Sequence, residues 1–320
     1  MNYQEFSENI IKADDIIIFS HVNPDGDTLG TMLALNIIIK NNFNKTPLMI
    51  AAGKIPEIYG FLPDINKVKS INDTDKNKIF DLAIAVDIAA KDRMIEGLPV
   101  YEKAKIKINI DHHKTNNNYG DINYVEAEAC SAGEVLFDIL ESLNLKINGD
   151  AATCLYTSIL TDTGGFRFEN TKARTLSKAA KLIEFGADPS YIARKCYESK
   201  PKQMVMLLAN SLVNAKFLEN DKIAYVCITD EIMKKFNAEN DHTEGIVEAL
   251  RQINTTEVSA VLKEVDEQTT KVSLRSKNID VSLIASAFNG GGHTFAAGCT
   301  IKKPIKIAEE KLILEIKKYL

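Results

Sequence analysis

The chain has 320 residues, 45% hydrophobic and 26% charged, an ordinary globular composition with length enough for two domains. Its net charge of -5 excludes an overall basic field for nucleic acid, so a small anionic substrate has to be held by a local site and metal ions. The five cysteines (130, 154, 196, 227 and 299) show no CxxC spacing and read as the reduced thiols of a cytoplasmic protein. No signal-peptide pattern opens the chain, and no apolar run reaches membrane-spanning length.

In chain order, residues 3–12 read as a short amphipathic helix. The apolar, β-branched run at 15–20 is a first strand, followed by the turn HVNPDGDTLG (His21 to Gly30) and an apolar helix to about Asn41. A turn at the carboxyl end of a strand is where open α/β sheets bind ligands. His21, Asp25 and Asp27 there are hard ligands suited to a divalent cation, although Asn, Asp, Pro and Gly are also common in polar turns. A second strand lies near 47–52, and a short helix near 57–62. The run 81–87 is nearly all apolar, as a strand covered on both faces is, and it ends on Asp87. Alone, Asp87 could be a helix N-cap. The strand 107–110 runs into Asp111, His112 and His113. Neighbouring histidines on extended backbone point in opposite directions, so one can ligate a metal while the other faces a substrate. Asp111 is suited to orient a ligating imidazole, with Asn116 and Ser131 adding hydrogen bonds nearby.

Helices follow at 132–143 and 149–161, the second ending at Asp162 and at Gly164-Gly165. A carboxylate at a helix C-terminus opposes the helix dipole and makes more sense beside a cation. A helix at 172–185 takes Thr171 as its cap. The proline-containing stretch around 186–203 reads as the domain junction, which gives a catalytic domain at 1–187, a linker at 188–203 and a second domain at 204–320. In the second domain the pattern predicts a helix at 204–218, a strand at 222–229, and helices near 230–237 and 242–253. A hairpin of 257–266 with 270–276 turns around Glu267-Gln268, and a helix at 281–288 leads into the glycine run at 289–299. Gly290, Gly291 and Gly292 free the backbone to approach an anion, and His293 follows them. Arg275 on the hairpin is a candidate anion clamp. The chain closes with an amphipathic helix at 307–320.

Five aspartates (25, 27, 87, 111 and 162) and three histidines (21, 112 and 113) therefore fall at the ends of consecutive apolar elements. Gathering them in one place is costly unless cations neutralise them, and two ions sharing a carboxylate would use that many ligands. The inventory points to metal-assisted hydrolysis of a phosphoester or phosphoanhydride.

HVNPDGDTLG, Asp87 in VDIA, Asp111-His112-His113, Asp162 in TDTGGF and GGGH at 290–293 together resemble the DHH phosphoesterases, in order and across essentially the whole chain. The C-terminal part is similar to the DHH-associated domain of the branch holding bacterial oligoribonuclease (nanoRNase) and 3′-phosphoadenosine 5′-phosphate (pAp) phosphatase. The resemblance implies an α/β fold: an N-terminal, mostly parallel sheet flanked by helices, and a smaller mixed α/β domain facing it across an active-site cleft. It implies two divalent ions, Mn2+ by family habit, with Mg2+ or Co2+ as substitutes. One would be held by His21, Asp25 and Asp87, and the other by Asp27, Asp87, His112 and Asp162. His113 would meet the scissile phosphate or protonate the leaving group, and Asp111 would orient His112. Arg275, Gly290, Gly291, Gly292 and His293 would hold the far end of the substrate. Arg93, in AAKDRM after Asp87, has no assigned role. The implied activity is hydrolysis of RNA of two to a few nucleotides to mononucleotides, with pAp 3′-phosphatase activity beside it. The lack of Trp and of a long basic or aromatic track suits short substrates. Cyclic- or linear-dinucleotide phosphodiesterase and non-catalytic nucleotide sensor are the alternatives, and a sensor is expected to have lost a ligand position. The implied partners are short RNA or small nucleotides, with no membrane and no stable protein partner beyond a homodimer.

Overall fold

The computed structural model describes residues 2–320, which divide into one compact unit ending at Ser199 and another from Lys200 to Leu320.

The first unit runs α1 (Gln4–Lys12), β1 (Ile16–Val22), α2 (Gly26–Phe43), β2 (Leu48–Ala52), β3 (Lys69–Ser70), β4 (Leu82–Val86), α3 (Leu98–Lys103), β5 (Ile106–Asp111), β6 (Ile122–Val125), α4 (Ala132–Ser142), α5 (Gly149–Asp162), α6 (Ala173–Glu184) and α7 (Pro189–Tyr197). Its six strands form a wholly parallel sheet in the order β3-β2-β1-β4-β5-β6. Side-chain alternation splits each central strand between two cores. Ile16 and Ile18 of β1 join Leu82, Ile84 and Val86 under α2, α4 and α5, while Ile17 and Phe19 join Ala83 and Ala85 on the face covered by α3. Chain order reverses between β1 and β4, and that is the switch point at which open α/β sheets bind ligands.

The second unit runs α8 (Lys202–Val213), β7 (Lys216–Leu218), β8 (Ile223–Ile228), α9 (Asp230–Lys235), α10 (Ile246–Arg251), β9 (Val258–Asp266), β10 (Thr269–Ser276), α11 (Val281–Ser286), β11 (Gly291–His293), β12 (Ala296–Ile301) and α12 (Ile305–Ile316). Its mixed sheet has the order β11-β12-β10-β9-β8-β7, with β8–β9 as the parallel pair. The expected α/β class holds for both units.

Several local expectations change. The helix expected over 204–218 stops at Val213, and Lys216–Leu218 becomes a short strand because β8 offers it a pairing edge. Residues 189–197, expected as linker, form α7 with Pro189 in its first turn and Asp188 capping it. The cap of α6 is Lys172 instead of Thr171; its N–H donates to Thr175 Oγ1. The glycine run forms an edge strand, since its backbone pairs with β12. Short β3 and β6 and helix α3 carry too little periodic pattern to stand out in the sequence.

Candidate active site

Each site residue of the first unit sits at a carboxyl end of the sheet or on a helix end beside it. Pairing between β1 and β2 slips between Phe19 and Val22, a bulge of the kind that re-aims a side chain, and His21 lies within it. His21 is buried; its Nδ1 is 2.8 Å from Val22 O and its Nε2 is 3.2 Å from Asp87 Oδ2 and 3.8 Å from Asp25 Oδ1. Asp25 is the N-cap of α2, with Oδ1 accepting from the N–H groups of Asp27 and Thr28, both at 3.1 Å. Asp87 follows β4 in a left-handed conformation (φ 58°), which aspartate tolerates better than most residues, and its N–H donates to Ile110 O of β5.

On the other side of Asp87 stands His112. Its Nε2 is 3.5 Å from Asp27 Oδ2, 3.6 Å from Asp87 Oδ1 and 3.7 Å from Asp162 Oδ2. His21–Asp25–Asp87 and Asp27–His112–Asp162 thus form two groups of donors close enough to hold a metal, with Asp87 reaching both. Asp87 is buried, and its Oδ1 accepts no hydrogen bond among the described residues. A buried carboxylate oxygen without a donor is expensive, and a cation would satisfy it. The donor set of imidazole and carboxylate suits Mn, Mg or Co.

The charges are tightly linked. Burial pulls His112 down, but Asp87, Asp27 and Asp162 outweigh it and hold the imidazole up to about 10. Burial, with Asp87 and Asp25 and against His112, pushes Asp162 up to about 7. Burial also works against the Asp87 carboxylate, yet His112 and His21 hold it well below the usual range.

Asp111 is fully buried and corrects one expectation. Its Oδ1 accepts from His113 Nδ1 at 2.7 Å, so it orients His113 and not His112. The strand ends at Asp111, so the alternation expected of the two histidines does not hold: their ring centroids are 4.8 Å apart, His112 Nδ1 is 3.4 Å from Ala129 O, and His113 Nδ1 also comes within 3.6 Å of Asp87 Oδ1. Asn116 Nδ2 donates to Asp111 Oδ2 at 2.5 Å and to Asn109 Oδ1 at 2.7 Å, fixing the carboxylate from behind.

The support around Asp27 was invisible in sequence; Ser131, expected to add a hydrogen bond near Asp111, instead caps α4 and meets Ser158. Asp27 is buried and accepts from Ala132 N (2.8 Å) and Gly133 N (3.2 Å) at the start of α4, from Thr31 Oγ1 (3.1 Å) and from Ser158 Oγ (2.6 Å). Ser131, the N-cap of α4, stands 3.1 Å from Ser158 through its own hydroxyl. A Cβ on Gly133 would fall 2.1 Å from Ser158 Oγ, so a glycine is needed for that hydroxyl to reach Asp27. A small residue before Glu134 in SAGE was the available signal.

In the second unit, Arg275 lies on β10 with Nη2 3.0 Å from Glu248 Oε1, beside a cavity of about 480 Å³ also lined by Lys263, Lys271 and Ser273. Gly291, Gly292 and His293 are exposed on the edge strand β11. A Cβ on Gly290 would stand 2.3 Å from Gly298 O and one on Gly292 2.5 Å from Ala296 O, but one on Gly291 would meet open space. Packing within this unit therefore explains the outer two glycines and not the middle one.

The chain is similar to known proteins along most of its length. Residues 15–159 match the DHH family N-terminal domain, and residues 220–320 match the DHHA1 domain. A Streptococcus mutans protein named probable bifunctional oligoribonuclease and PAP phosphatase NrnA is 32% identical over 289 residues, 90% of each chain. The Bacillus subtilis bifunctional oligoribonuclease and PAP phosphatase NrnA is 30% identical, covering 93% of this chain and 92% of its own. The crystal structure of an exopolyphosphatase-related protein from Bacteroides fragilis superposes with a TM-score of 0.94 at 27% identity, covering 99% of this chain and 96% of its own. With a DHH domain followed by a DHHA1 domain, and relatives of 30–32% identity along most of its length, the chain belongs to the DHH family of phosphoesterases.

Proposed function

We propose that the protein hydrolyses RNA of two to a few nucleotides to mononucleotides and removes the 3′-phosphate of pAp, using two divalent ions, Mn2+ first among them. The observation that carries the reading is Asp87, a buried carboxylate with one undonated oxygen between two sets of metal-capable donors. The names of the relatives at 30–32% identity support the substrate class.

In this reading His21, Asp25 and Asp87 hold one ion, and Asp27, Asp87, His112 and Asp162 hold the other. When bound, such a pair lowers the pKa of water and neutralises phosphoryl charge for in-line displacement. Asp111 accepts from His113 Nδ1 and favours the imidazolium, whose Nε2–H is then the proton available to the leaving oxygen. Asp25 and Asp27, fixed by N–H and hydroxyl donors, keep their oxygens aimed without having to reorganise. Arg275, Gly290, Gly291, Gly292 and His293 bind the terminal phosphate or base; the open space over Gly291 suits close approach of a ligand to backbone. The five cysteines are free thiols, and no helix among the described residues is long and apolar enough to cross a membrane, which suits a cytoplasmic setting.

The test is product analysis with Mn2+, giving the protein pAp, a 5′-phosphorylated diribonucleotide, a longer RNA, a cyclic dinucleotide and pyrophosphate in parallel. Cleavage of the first two, absent in Asp87→Ala, is expected. Robust digestion of long single strands, or preference for the cyclic dinucleotide, contradicts the substrate assignment. Tight nucleotide binding without turnover would make the protein a sensor.

A further inference from the structure

Arg93 lies in the turn segment between Asp87 and α3. Its Nη2 is 3.5 Å from His21 Nδ1. That nitrogen already faces Val22 O at 2.8 Å. An imidazole that offers Nε2 to a cation beside Asp25 and Asp87 carries its proton on Nδ1 and donates it to Val22, so it has no acceptor left for Arg93. Among the described residues no carboxylate pairs with the Arg93 guanidinium, whereas Arg174 and Arg275 each hold a glutamate. Arg93 is thus a half-buried, unneutralised cation beside an acidic centre.

The backbone that carries it is strained. Ile95 has φ 48° and ψ -118°, a left-handed kink in the 91–97 segment at angles that glycine usually occupies. The Ile95 side chain is 51% exposed, so its own packing does not account for the strain. On either side the chain is pinned: Met94 is buried, and Gly97 lies against the Phe19 ring, where a Cβ would come within 3.0 Å. The buried neighbours thus hold the segment that carries Arg93 in one fixed conformation.

We infer that Arg93 is a substrate-binding residue whose guanidinium takes the non-bridging oxygens of the phosphoryl group being hydrolysed, on the His21 side of the site. The inference rests on the phosphoesterase reading. A guanidinium offers two parallel N–H donors to a phosphoryl group, and charge on those oxygens is what the transition state must stabilise. The carboxylates around it would repel the same oxygens, so a free cation at this rim has a specific use.

The experiment is steady-state kinetics of the metal-loaded full chain on pAp and a 5′-phosphorylated diribonucleotide, for wild type, Arg93→Ala and Arg93→Lys, with Mn2+ affinity measured by calorimetry. Arg93→Ala is expected to lower kcat/KM roughly 100-fold on both substrates. Arg93→Lys should recover part of this, because it restores the charge without the fork. Mn2+ affinity should stay close to wild type in both variants. Unchanged kcat/KM in Arg93→Ala overturns the inference, and so does a loss that follows lost Mn2+ affinity or lost folding in both variants. A wild-type protein that turns over neither substrate sinks the phosphoesterase reading instead. AMP binding to the loaded protein then decides Arg93 separately: about tenfold weaker binding in Arg93→Ala sustains a phosphate contact, and equal binding removes it.

Discussion

The acidic cluster of the first unit and the glycine strand of the second are built in opposite ways. Asp27, Asp87 and Asp111 are almost wholly buried, and each is positioned by groups from other elements: α4 and α5 for Asp27, β5 for Asp87, and Asn116 for Asp111. Gly291 and His293 are exposed on an edge strand, with backbone pairing on one side and open space over Gly291. Buried charge must be satisfied in the fold itself, so the chemistry is set before any ligand arrives. An exposed strand can leave its recognition to the ligand.

The comparison breaks most visibly at Asp87. Asp87→Ala should abolish turnover and weaken metal binding at both positions, measured by kinetics and calorimetry; two ions retained at wild-type affinity would end the shared-carboxylate reading. Next comes His113→Ala, expected to lower kcat roughly 10²–10⁴-fold while Mn2+ affinity is kept, as befits a proton donor that does not hold the ion. Loss of metal along with the rate would make His113 a ligand instead.

In the second unit the paired variants Gly290→Ala and Gly291→Ala sharpen the contrast. A Cβ at 290 collides with Gly298 O, so Gly290→Ala should cost about 1–3 kcal/mol in thermal or chemical unfolding. Gly291→Ala should leave stability within about 0.5 kcal/mol and raise KM, since only a ligand would meet its Cβ. Equal effects of the two on stability would show that the space over Gly291 is not open.

A smaller effect concerns pH. In the protein without metal, His112 is held up to about 10 and Asp162 up to about 7. Both bind protons more tightly folded than unfolded, so the stability they lend is present at low pH and is lost as pH rises through those values. A cation replaces those protons. The gain in Tm on adding Mn2+ should therefore be larger at pH 8 than at pH 6, and a gain that is flat or falls with pH would contradict the charge balance described. Smallest is Ile95→Gly, which relieves the strained turn against the greater chain entropy of glycine. It should stabilise by about 1 kcal/mol or less, read as a rise in Tm.

The residues proposed for the chemistry stood out in the sequence because they end strongly patterned elements. The apolar runs before His21, Asp87 and Asp111 announce buried parallel strands, and the carboxyl ends of such strands converge. What escaped was support drawn from far along the chain. Nothing near Asp27 in sequence points to Ser158 or Gly133, which meet it only because α2, α4 and α5 pack together. The partner of Asp111 was misread because β5 ends there, and beyond it the two imidazoles lie side by side with His113 the one that reaches the carboxylate. Short elements such as β7 and β11 exist because a neighbouring strand offers hydrogen bonds, a tertiary fact with no local signal.

By itself, then, the sequence determined the α/β class, where the main apolar strands lie along the chain and the identity of the polar groups at their ends, because hydrophobic periodicity and turn chemistry are local. Only the tertiary structure decided which carboxylate serves which histidine, that Asp87 keeps an oxygen free between two donor sets, and that Arg93 comes to rest beside His21 without an acceptor. Those outcomes depend on distances of a few ångströms between segments far apart in the chain, and packing alone sets them.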